Sequence, residues 1–295
     1  MNTRQLQYVI ALSRTLNISQ TAESLKITQP ALSKQILAIE KEIGVSLFDR
    51  SGSPLKLTQA GESFVKQAEE ILLKKDGLLR SMEEFKSGDR GRLIIGISPF
   101  RASYFLSGTI KKLQEKYPGL QIVLKEEGSA ELRNAASEGR VDFAVINLPA
   151  EDIMLDVVPL KEEPLALIIP KNVGGHISNK EKQISLLECK DLPFIALGKN
   201  QELRRLFDKL CLSYGFTPKI AVEAVGITTA WCLAQAGIGA TVLPLRFIEE
   251  NKTDSRVDIC QLKDSACIRK PAIVMRKGRY LSKYAKEAIE LLRED

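Results

Sequence analysis

Two short helix patterns lie almost end to end between residues 19 and 36, and this spacing leaves few folds open to the first part of the chain. The first pattern runs from Ser19 to Leu25, and the second runs from Thr28 to Ile36. Each opens on a hydroxyl residue that can accept a hydrogen bond from an uncapped backbone N–H group. Two helices joined by so short a turn predict a helix-turn-helix.

The second helix of this pair has an apolar and a polar face. Leu32, Ile36 and Ile39 recur at helical spacing and are expected to pack on a core. The polar side chains near its start are Gln29, Ser33 and Lys34. Hydrogen-bonding groups placed on an exposed helix in this way can reach base edges in a DNA groove.

The flanking segments complete a small domain. Apolar residues between positions 3 and 16 predict a first helix, and Gly44 is suited to end the third. Residues 51–58 combine turn residues with a short alternating strand, which predicts a wing. We therefore expect an N-terminal all-α winged helix-turn-helix domain over residues 1–58.

Residues 16–61 resemble the DNA-binding domain of LysR-type transcriptional regulators. The match extends over about 45 positions at fixed offsets, which makes it far more specific than a single capped helix. The matching residues are Ala22, Leu25, Gln29, Pro30, Ser33, Ile36, Glu40, Gly44, Leu47, Phe48, Arg50 and Leu57 to Gly61. A helical domain that only packs is the weaker interpretation, because packing alone does not require Gln29, Pro30, Ser33 and Lys34 together.

The residue types at the start of the second helix suit base edges. The Gln29 amide can pair with adenine, Pro30 offers apolar contact to a thymine methyl group, and Lys34 can reach guanine acceptors or a phosphate. Ser33 can contact either a base or the DNA backbone. These four residues are the candidate base readers.

Thr28, Arg50 and Lys56 are candidates for phosphate contacts, which set the register on DNA without reading sequence. Thr28 could instead be only a helix cap, and Arg50 only the ion-pair partner of a nearby carboxylate such as Asp49. Members of the resembled family commonly carry a basic residue at the wing tip, where this chain has Ser53. Minor-groove contact by the wing is therefore left open.

The charge of the chain supports a polyanionic partner only weakly. Its formal net charge is +6 and its pI is about 9.0. Residues 1–60 hold seven basic and four acidic side chains. One domain with so few phosphate partners would bind DNA loosely at physiological salt, so we expect two copies to bind together.

A long helix is predicted over residues 59–87, with a hinge at 88–91. Apolar positions advance in steps of three and four along a helix of about 42 Å, at 1.5 Å per residue. This length exceeds what a single domain needs. We expect the same helix of a second copy to cover it, although packing on its own C-terminal domain is an alternative. The row is Gly61, Phe64, Ala68, Ile71, Lys75, Leu78, Met82 and Phe85, flanked by Val65, Leu72 and Leu79.

Beyond residue 91 the pattern changes to alternating strands and helices, which predicts a parallel α/β sheet. Residues 92–162 and 267–295 are assigned to a first lobe, and residues 163–266 to a second, with two crossovers between them. This arrangement resembles the effector domain of the same family, which is similar to periplasmic solute-binding proteins. The resemblance implies a C-terminal α/β two-lobed, periplasmic-binding-protein-like effector domain over 92–295. The expected strands are 92–98, 120–125, 141–147, 165–169, 194–197, 220–224, 240–243 and 272–275, and the expected helices are 104–117, 130–138, 202–214, 228–236 and 281–292.

Ligands of open α/β sheets bind beyond the carboxyl ends of the strands. Hydroxyl groups and helix-start N–H groups near a cation predict a site for a small, anionic metabolite. A neutral ligand or an oxidant would leave the same pattern, and Ser98 and Ser129 could equally be plain helix caps. The candidate effector-binding residues are Ser98, Phe100, Arg101, Ser129, Asn147, Gly198 and Lys199.

We expect no catalytic residue, cofactor or metal site. The one histidine, His176, lies in a glycine-rich turn without a nucleophile motif, and no run matches a complete phosphate-binding glycine loop. The five cysteines are scattered and odd in number, which suits a reducing cytosol, and a redox-sensing thiol stays open. Without a signal-peptide core or membrane-spanning run, we expect a soluble, cytoplasmic protein.

The sequence therefore predicts a LysR-type DNA-binding transcriptional regulator. Its expected partners are a double-stranded DNA operator with dyad symmetry, whose half-sites lie about 34 Å apart, and a small-molecule effector. The resemblance implies a homodimer or a dimer of dimers, and RNA polymerase is a further candidate partner.

Overall fold

The computed structural model describes residues 1–51, 55–87, 90–149, 152–174, 183–251, 255–263 and 267–294. Its contacts divide the chain into two compact units, Met1–Lys86 and Ser87–Asp295. Each unit has its own hydrophobic core, as expected for separately folded domains.

The N-terminal unit is a three-helix core followed by a small hairpin and a long helix. Its core holds Val9, Leu12, Leu32, Ile36 and Ile39, all buried. The elements are α1 (Thr3–Thr15), α2 (Ile18–Ser24), α3 (Gln29–Ile43), β1 (Phe48–Asp49), β2 (Lys56–Leu57) and α4 (Gln59–Ser87). The winged helix-turn-helix fold is therefore confirmed, with β1 and β2 paired antiparallel at the base of the wing.

The helix ends of this unit follow local capping rules. Asn17, and not Ser19 as the sequence suggested, caps α2, because it directly precedes the helix and its side chain accepts the Gln20 N–H at 3.1 Å. The Thr28 hydroxyl caps α3 by accepting the Ala31 N–H at 3.4 Å. Gly44 ends α3 in the left-handed region, with φ of 76°.

The first half of α4 packs on its own domain. Phe64, Val65, Ala68 and Leu72 contact the apolar side of α1. The predicted row of apolar residues therefore does not serve a partner helix along its whole length, because this half covers α1. The side chain of Phe85 lies outside the described part of the chain.

Gly61 and Lys75 both have roles inside the N-terminal unit. A Cβ atom on Gly61 would lie 2.1 Å from the Leu47 carbonyl oxygen, so only glycine lets α4 approach this backbone. The Lys75 ammonium group donates to the Thr3 hydroxyl at 3.0 Å. The lysine that interrupts the apolar row thus ties α4 to the start of α1.

The C-terminal unit alternates strands and helices. Its first part contains β3 (Gly91–Ile97), α5 (Pro99–Phe105), α6 (Ser107–Lys116), β4 (Leu120–Glu126), α7 (Ser129–Ser137), β5 (Phe143–Asn147) and β6 (Leu155–Pro159). Its middle part contains β7 (Glu163–Pro170), α8 (Lys171–Gly174), β8 (Gln183–Ile184), a 3₁₀ turn (Leu186–Cys189), β9 (Pro193–Leu197), α9 (Glu202–Ser213), β10 (Lys219–Ala224), α10 (Ile227–Gln235), β11 (Thr241–Pro244), α11 (Leu245–Glu249) and β12 (Val257–Leu262). It ends with β13 (Ile268–Arg269), β14 (Pro271–Arg276) and α12 (Lys283–Glu294).

The first lobe is built on a sheet of order β4-β3-β5-β14-β6. β3 runs parallel to β4 and β5, whereas β14 runs antiparallel to β5 and β6. The expectation of a purely parallel sheet is therefore wrong, because β14 enters this sheet from the opposite end after the chain returns from the second lobe.

The second lobe combines antiparallel and parallel pairs. β7 runs antiparallel to β11 and β12, and β9 runs parallel to β10. A parallel bridge between Phe194 and Ala240 connects β9 to the residue before β11. The chain passes between the lobes twice, into β7 and out through β13, and these two strands pair antiparallel. The mixed α/β, two-lobed architecture is therefore confirmed.

Several elements differ from the sequence prediction. The helix expected at 104–117 is two helices, because Pro99 starts α5 directly after β3 and the chain turns at Leu106 before α6. The strands β6, β8, β12 and β13 were missed, since β8 and β13 have two residues each and β6 and β12 mix polar with apolar residues. Of the expected hinge at 88–91, residues 88 and 89 lie outside the described part, and Gly91 already belongs to β3.

Candidate DNA-binding surface and ligand cavity

The start of α3 presents an exposed polar surface. Gln29, Pro30 and Lys34 are exposed and Ser33 is half-buried, while Leu32 and Ile36 on the opposite face are fully buried. The helix is anchored by its apolar face, so its outer residues are held in fixed relative positions. All four candidate base readers lie in the first two turns of α3.

Arg50 is held by a carboxylate, but not by the one that the sequence suggested. Its guanidinium group donates to Glu40 at 2.8 Å, whereas Asp49 accepts from the Ser51 hydroxyl. Glu40 is itself buried and also accepts the backbone N–H groups of Leu47 and Phe48. This carboxylate fastens the end of α3 to β1, so Arg50 has a structural partner and remains partly exposed.

Lys56 is exposed on β2, near the base of the wing. Thr28 is exposed as well, and its hydroxyl is already used as the cap of α3. Ser53 lies outside the described residues. We call the surface formed by the remaining candidates the α3 surface: Thr28, Gln29, Pro30, Ser33, Lys34, Arg50 and Lys56.

A cavity of about 710 Å³ lies between the two lobes of the C-terminal unit. The starts of α5 and α7 face it from the first lobe, and the starts of α9 and α10 face it from the second. These helices follow β3, β4, β9 and β10, so the cavity lies beyond the carboxyl ends of the strands. The described residues that line it are Ser98 to Arg101, Ser103, Glu127 to Glu131, Asn200 to Glu202, Arg205, Val225 to Thr228 and Arg269.

Four of the seven candidate effector residues line this cavity: Ser98, Phe100, Arg101 and Ser129. Asn147 lies behind the wall, where it bonds to Arg101. Gly198 and the exposed Lys199 are not among the lining residues, because the turn after β9 directs Asn200 and Gln201 to the cavity instead.

Sequence reasoning missed two of the charged lining residues that matter most, Glu202 and Arg269. Glu202 begins α9, and a rule that counts every residue in the first turn of a helix after a strand would have found it. Arg269 belongs to the two-residue strand β13, which has no pattern of its own. Only the pairing of β13 with β7 brings Arg269 to the cavity.

The floor of the cavity is a buried charge cluster. Arg101 and Arg269 each approach the Glu163 carboxylate at 3.1 Å, and all three side chains are at most 6% exposed. The Tyr104 hydroxyl donates to the second oxygen of Glu163 at 2.5 Å. Two cations therefore share one carboxylate in a region that excludes water, which is an expensive arrangement unless further groups compensate it.

The protonation states of the cluster follow from this geometry. Burial raises the pKa of Glu163, but Arg101, Arg269 and the Tyr104 hydroxyl outweigh it and hold the pKa below its usual value. Burial, together with the Glu163 charge, raises the pKa of Tyr104, which stays protonated. Burial and Arg101 lower the pKa of Arg269, while Glu163 and Glu202 act in the opposite direction.

Three buried polar atoms around this floor have no hydrogen-bond partner among the described residues: Ser98 Oγ, Arg101 Nε and Arg269 Nε. Ser98 occupies the cap position of α5 without making the capping bond. Buried polar groups are normally paired, so such a group calls for a specific explanation. Here all three belong to residues that line one cavity.

Glu202 connects the two lobes across the cavity. It belongs to the second lobe and accepts hydrogen bonds from Ser129 at 3.1 Å and from the Asn147 amide at 2.5 Å, both in the first lobe. Ser129 therefore spends its hydroxyl on this contact and is not a helix cap; Gly128 holds the cap position of α7. Asn147 also accepts from Arg101 at 2.8 Å, so its amide links Arg101 to Glu202.

Known families account for both units. Residues 86–295 match the LysR substrate binding domain, and residues 3–62 match the bacterial regulatory helix-turn-helix proteins of the lysR family. The chain belongs to the LysR family. It is a DNA-binding transcriptional regulator with an effector-binding domain, and not an enzyme.

Similar proteins align with the whole chain. This chain is 31% identical over 309 residues to the uncharacterized HTH-type transcriptional regulator YcgK of Bacillus subtilis, and the alignment covers 100% of this chain and 94% of that protein. A full-length OxyR variant of Pseudomonas aeruginosa superposes with a TM-score of 0.66 at 23% identity, over 99% of this chain and 95% of that one. CbnR complexed with its target DNA superposes with a TM-score of 0.57 at 21% identity, over 100% and 99%. These two superpositions show the common fold.

The cysteines of this LysR regulator differ in exposure. Cys211 on α9 is buried, whereas Cys232 on α10 is exposed, although both lie among apolar residues in the sequence. Burial raises the pKa of Cys189 and of Cys211 to about 12, which disfavours the reactive thiolate at both sites. His176 lies outside the described residues.

Neither a membrane span nor a metal cluster is found within the described ranges. None of the described helices is both long and apolar enough to cross a membrane. The same residues contain no cluster of three histidine, cysteine, aspartate or glutamate side chains suited to a metal ion.

Proposed function

We propose that this LysR regulator binds an operator with dyad symmetry as a homodimer or a dimer of dimers, and that a small ligand changes this binding from the cavity between the lobes. The ligand carries an anionic group. The observation that carries the proposal is the pair of buried arginines at the cavity floor, which share one carboxylate and whose Nε atoms have no partner among the described residues.

Charge and hydrogen-bond capacity support an anionic group at this floor. Two guanidinium groups against one carboxylate leave an excess of one positive charge, and the cavity volume of about 710 Å³ suits a metabolite. Charge-assisted hydrogen bonds from Arg101 and Arg269 to a carboxylate or phosphate would be short and strong. Ser98 Oγ, which lines the same cavity, would add a neutral donor.

The domain order follows the same proposal. Residues 1–58 read DNA, residues 59–87 form the linker and dimerisation helix, and residues 92–295 bind the effector. CbnR, which has the same fold, is known in complex with its target DNA, and this supports DNA binding by the present chain. The α3 surface is the candidate contact because of its exposed residues. The exposed residues of the α3 surface carry amide, hydroxyl and ammonium groups that match base edges and phosphates.

The second half of α4 supports pairing of two copies. Leu78, Leu79 and Met82 are between 50% and 60% exposed, and Ile71, just before the middle of the helix, is 46% exposed. In contrast, Phe64, Val65, Ala68 and Leu72 pack against α1. Several large apolar side chains on one helix face are costly to leave in water. The same stripe on a second copy is a matching cover, since helices with this spacing pack together.

Coupling between ligand and DNA follows from the two-lobed construction. The lobes are joined through β7 and β13, and the ligand cavity lies between them. A ligand that binds one arrangement of the lobes more tightly shifts the population toward it, by no more than its difference in affinity. We propose that this shift changes the spacing of the DNA-binding heads in the oligomer.

Genomic-fragment selection tests the DNA-binding part. Full-length protein should enrich fragments that share one motif with dyad symmetry. On that operator, Gln29→Ala or Ser33→Ala should relax base preference at specific positions by about 1–3 kcal/mol. Lys56→Ala should weaken binding to all duplexes alike and reduce the salt slope by about one. If all three variants lost the same affinity for every DNA sequence, the assignment of base readers would be refuted.

Analytical ultracentrifugation tests the dimer. Leu78→Glu should shift the full-length protein toward monomer, because it places a charge in the apolar stripe. Lys66→Glu is a matched control, since Lys66 is exposed on another side of α4. A Leu78→Glu protein that stays as associated as the control would contradict the proposed interface.

A further inference from the structure

The charges that line the cavity restrict the class of ligand beyond the anionic group of the proposed function. Its described charged residues are three arginines and three glutamates: Arg101, Arg205, Arg269, Glu127, Glu131 and Glu202. Glu163 adds a fourth carboxylate directly behind the floor. A purely anionic ligand would therefore bring negative charge into a cavity that has no overall excess of positive charge.

The positive and negative groups are not mixed evenly. Arg101 and Arg269 make the floor cationic, and Ser98 Oγ, which lines the same cavity, has no partner among the described residues. Glu127 pairs with Lys125 at 3.3 Å, so its charge is compensated outside the cavity. Glu202, in contrast, accepts hydrogen bonds from two neutral donors, the Ser129 hydroxyl and the Asn147 amide. It is a half-buried carboxylate on the cavity wall. Arg269 is near enough for the two charges to interact, but no cation of the described part of the chain lies within salt-bridge distance of Glu202.

The cationic and anionic groups are close neighbours. Arg101 Nη2 donates to the Asn147 oxygen at 2.8 Å, and the Asn147 nitrogen donates to Glu202 at 2.5 Å. One amide group therefore separates the guanidinium from the carboxylate, which places them within about 8 Å of each other. Two ligand groups of opposite charge that are a few bonds apart could bind both at once.

We propose that the cavity selects a zwitterion of the amino-acid class, with the ligand carboxylate on Arg101 and Arg269 and the ligand ammonium group on Glu202. The inference rests on the proposed function, because it uses the same cavity. Glu202 is then a specificity-determining residue. It favours an amino acid over the same acid without its amino group, since the latter brings a carboxylate near Glu202 and offers Glu202 no cation.

Calorimetric titration of the full-length protein tests this. The probes are the protein L-amino acids and L-ornithine, each paired with its des-amino carboxylic acid, for example L-glutamate with glutarate. At least one amino acid should bind, with its des-amino partner about tenfold or more weaker. The N-acetyl derivative, which lacks the positive charge, should be weakened similarly. This comparison needs no variant and therefore does not depend on the folding of one.

Glu202→Gln then removes the charge and keeps the shape: the amide oxygen can still accept from Asn147, and the amide nitrogen can donate to the Ser129 hydroxyl. The preference for the amino acid should fall about tenfold, whereas Glu290→Gln, at an exposed carboxylate paired with Arg293, should leave it unchanged. Equal binding of the paired acids, an unchanged preference in Glu202→Gln, or no binding by any amino acid would overturn the inference. If the paired acids bind equally but Ser98→Ala still weakens binding of a simple carboxylate, only the preference for a zwitterion is refuted and the proposed function is retained. If ligands bind and Ser98→Ala has no effect, the cavity assignment falls as well.

Discussion

Thr28 and Ser98 are hydroxyl residues at the start of helices in the two units, yet they are used differently. Thr28 caps α3 by accepting the Ala31 N–H, and its helix carries the α3 surface on its exposed side. Ser98 stands at the same position before α5, but its hydroxyl makes no cap bond and is buried without a partner among the described residues.

The same contrast holds for the buried carboxylates of the two units. Glu40 accepts two backbone N–H groups and one guanidinium, so its hydrogen-bonding capacity is used to hold α3 to β1. Glu163 holds two arginines whose Nε atoms stay unpaired within the described ranges. The N-terminal carboxylate is thus satisfied internally, and it holds in place the helix that carries the proposed DNA-binding surface. The cavity keeps buried capacity that a ligand can use, at a cost to stability.

The largest effect is expected at Glu163. Glu163→Gln leaves two buried guanidinium groups without their shared counter-charge, so the free energy of unfolding of the C-terminal unit should fall by about 3–5 kcal/mol. Chemical denaturation of the full-length protein measures this, with Glu290→Gln as the exposed control. If the free energy of unfolding fell by less than about 1 kcal/mol, other groups would have to compensate the two arginines, and the contrast with Glu40 would not hold.

Acidification should expose the same carboxylate. The folded-state pKa of Glu163 lies below its usual value, so its contribution to stability is complete above the unfolded pKa of about 4.3 and is lost as the pH falls below it. The wild type should therefore lose more stability than Glu163→Gln over this acidic range. Parallel pH profiles for the two proteins would contradict the assigned ionisation.

A smaller effect is expected where α4 meets the Leu47 carbonyl. Gly61→Ala should destabilise the N-terminal unit by about 1–3 kcal/mol, because the new methyl group would meet a backbone atom that cannot move aside. Gly108→Ala on α6 is the matched control, since no atom of the described residues lies within 4 Å of its Cβ position. The control should be neutral or slightly stabilising, as alanine favours helix. Thermal unfolding that ranks the two variants the other way would refute the close approach.

The smallest effects test the two hydroxyl groups directly. Thr28→Ala should cost about 1 kcal/mol through loss of the cap. Ser98→Ala removes an unpaired buried hydroxyl and should be neutral or stabilise by up to about 1 kcal/mol. Denaturation curves measure the free energy of unfolding of both variants. If Ser98→Ala lost as much stability as Thr28→Ala, the Ser98 hydroxyl would have a structural partner.

The sequence predicted which residues of α3 are exposed and which are buried, but it predicted the lining of the cavity only in part, for a physical reason. Gln29 to Lys34 are neighbours in one helix, so helical periodicity alone separates their exposed and buried members. The cavity floor joins Arg101 to residues more than 60 and more than 160 positions away, and only strand pairing brings them together. Lys75 and Gly61 were placed in a seam between copies, because periodicity does not reveal which neighbour covers a helix face.

Operator binding with and without ligand tests the central proposal most directly. Fluorescence anisotropy on the selected operator would be measured for wild type, Ser98→Ala and Arg269→Met, with a pool of cellular metabolites added or withheld. We predict that the pool changes wild-type affinity or binding pattern, and that both variants still bind the operator but respond less or not at all. An undiminished response in both folded variants, or no response in the wild type, would contradict control of DNA binding from the cavity.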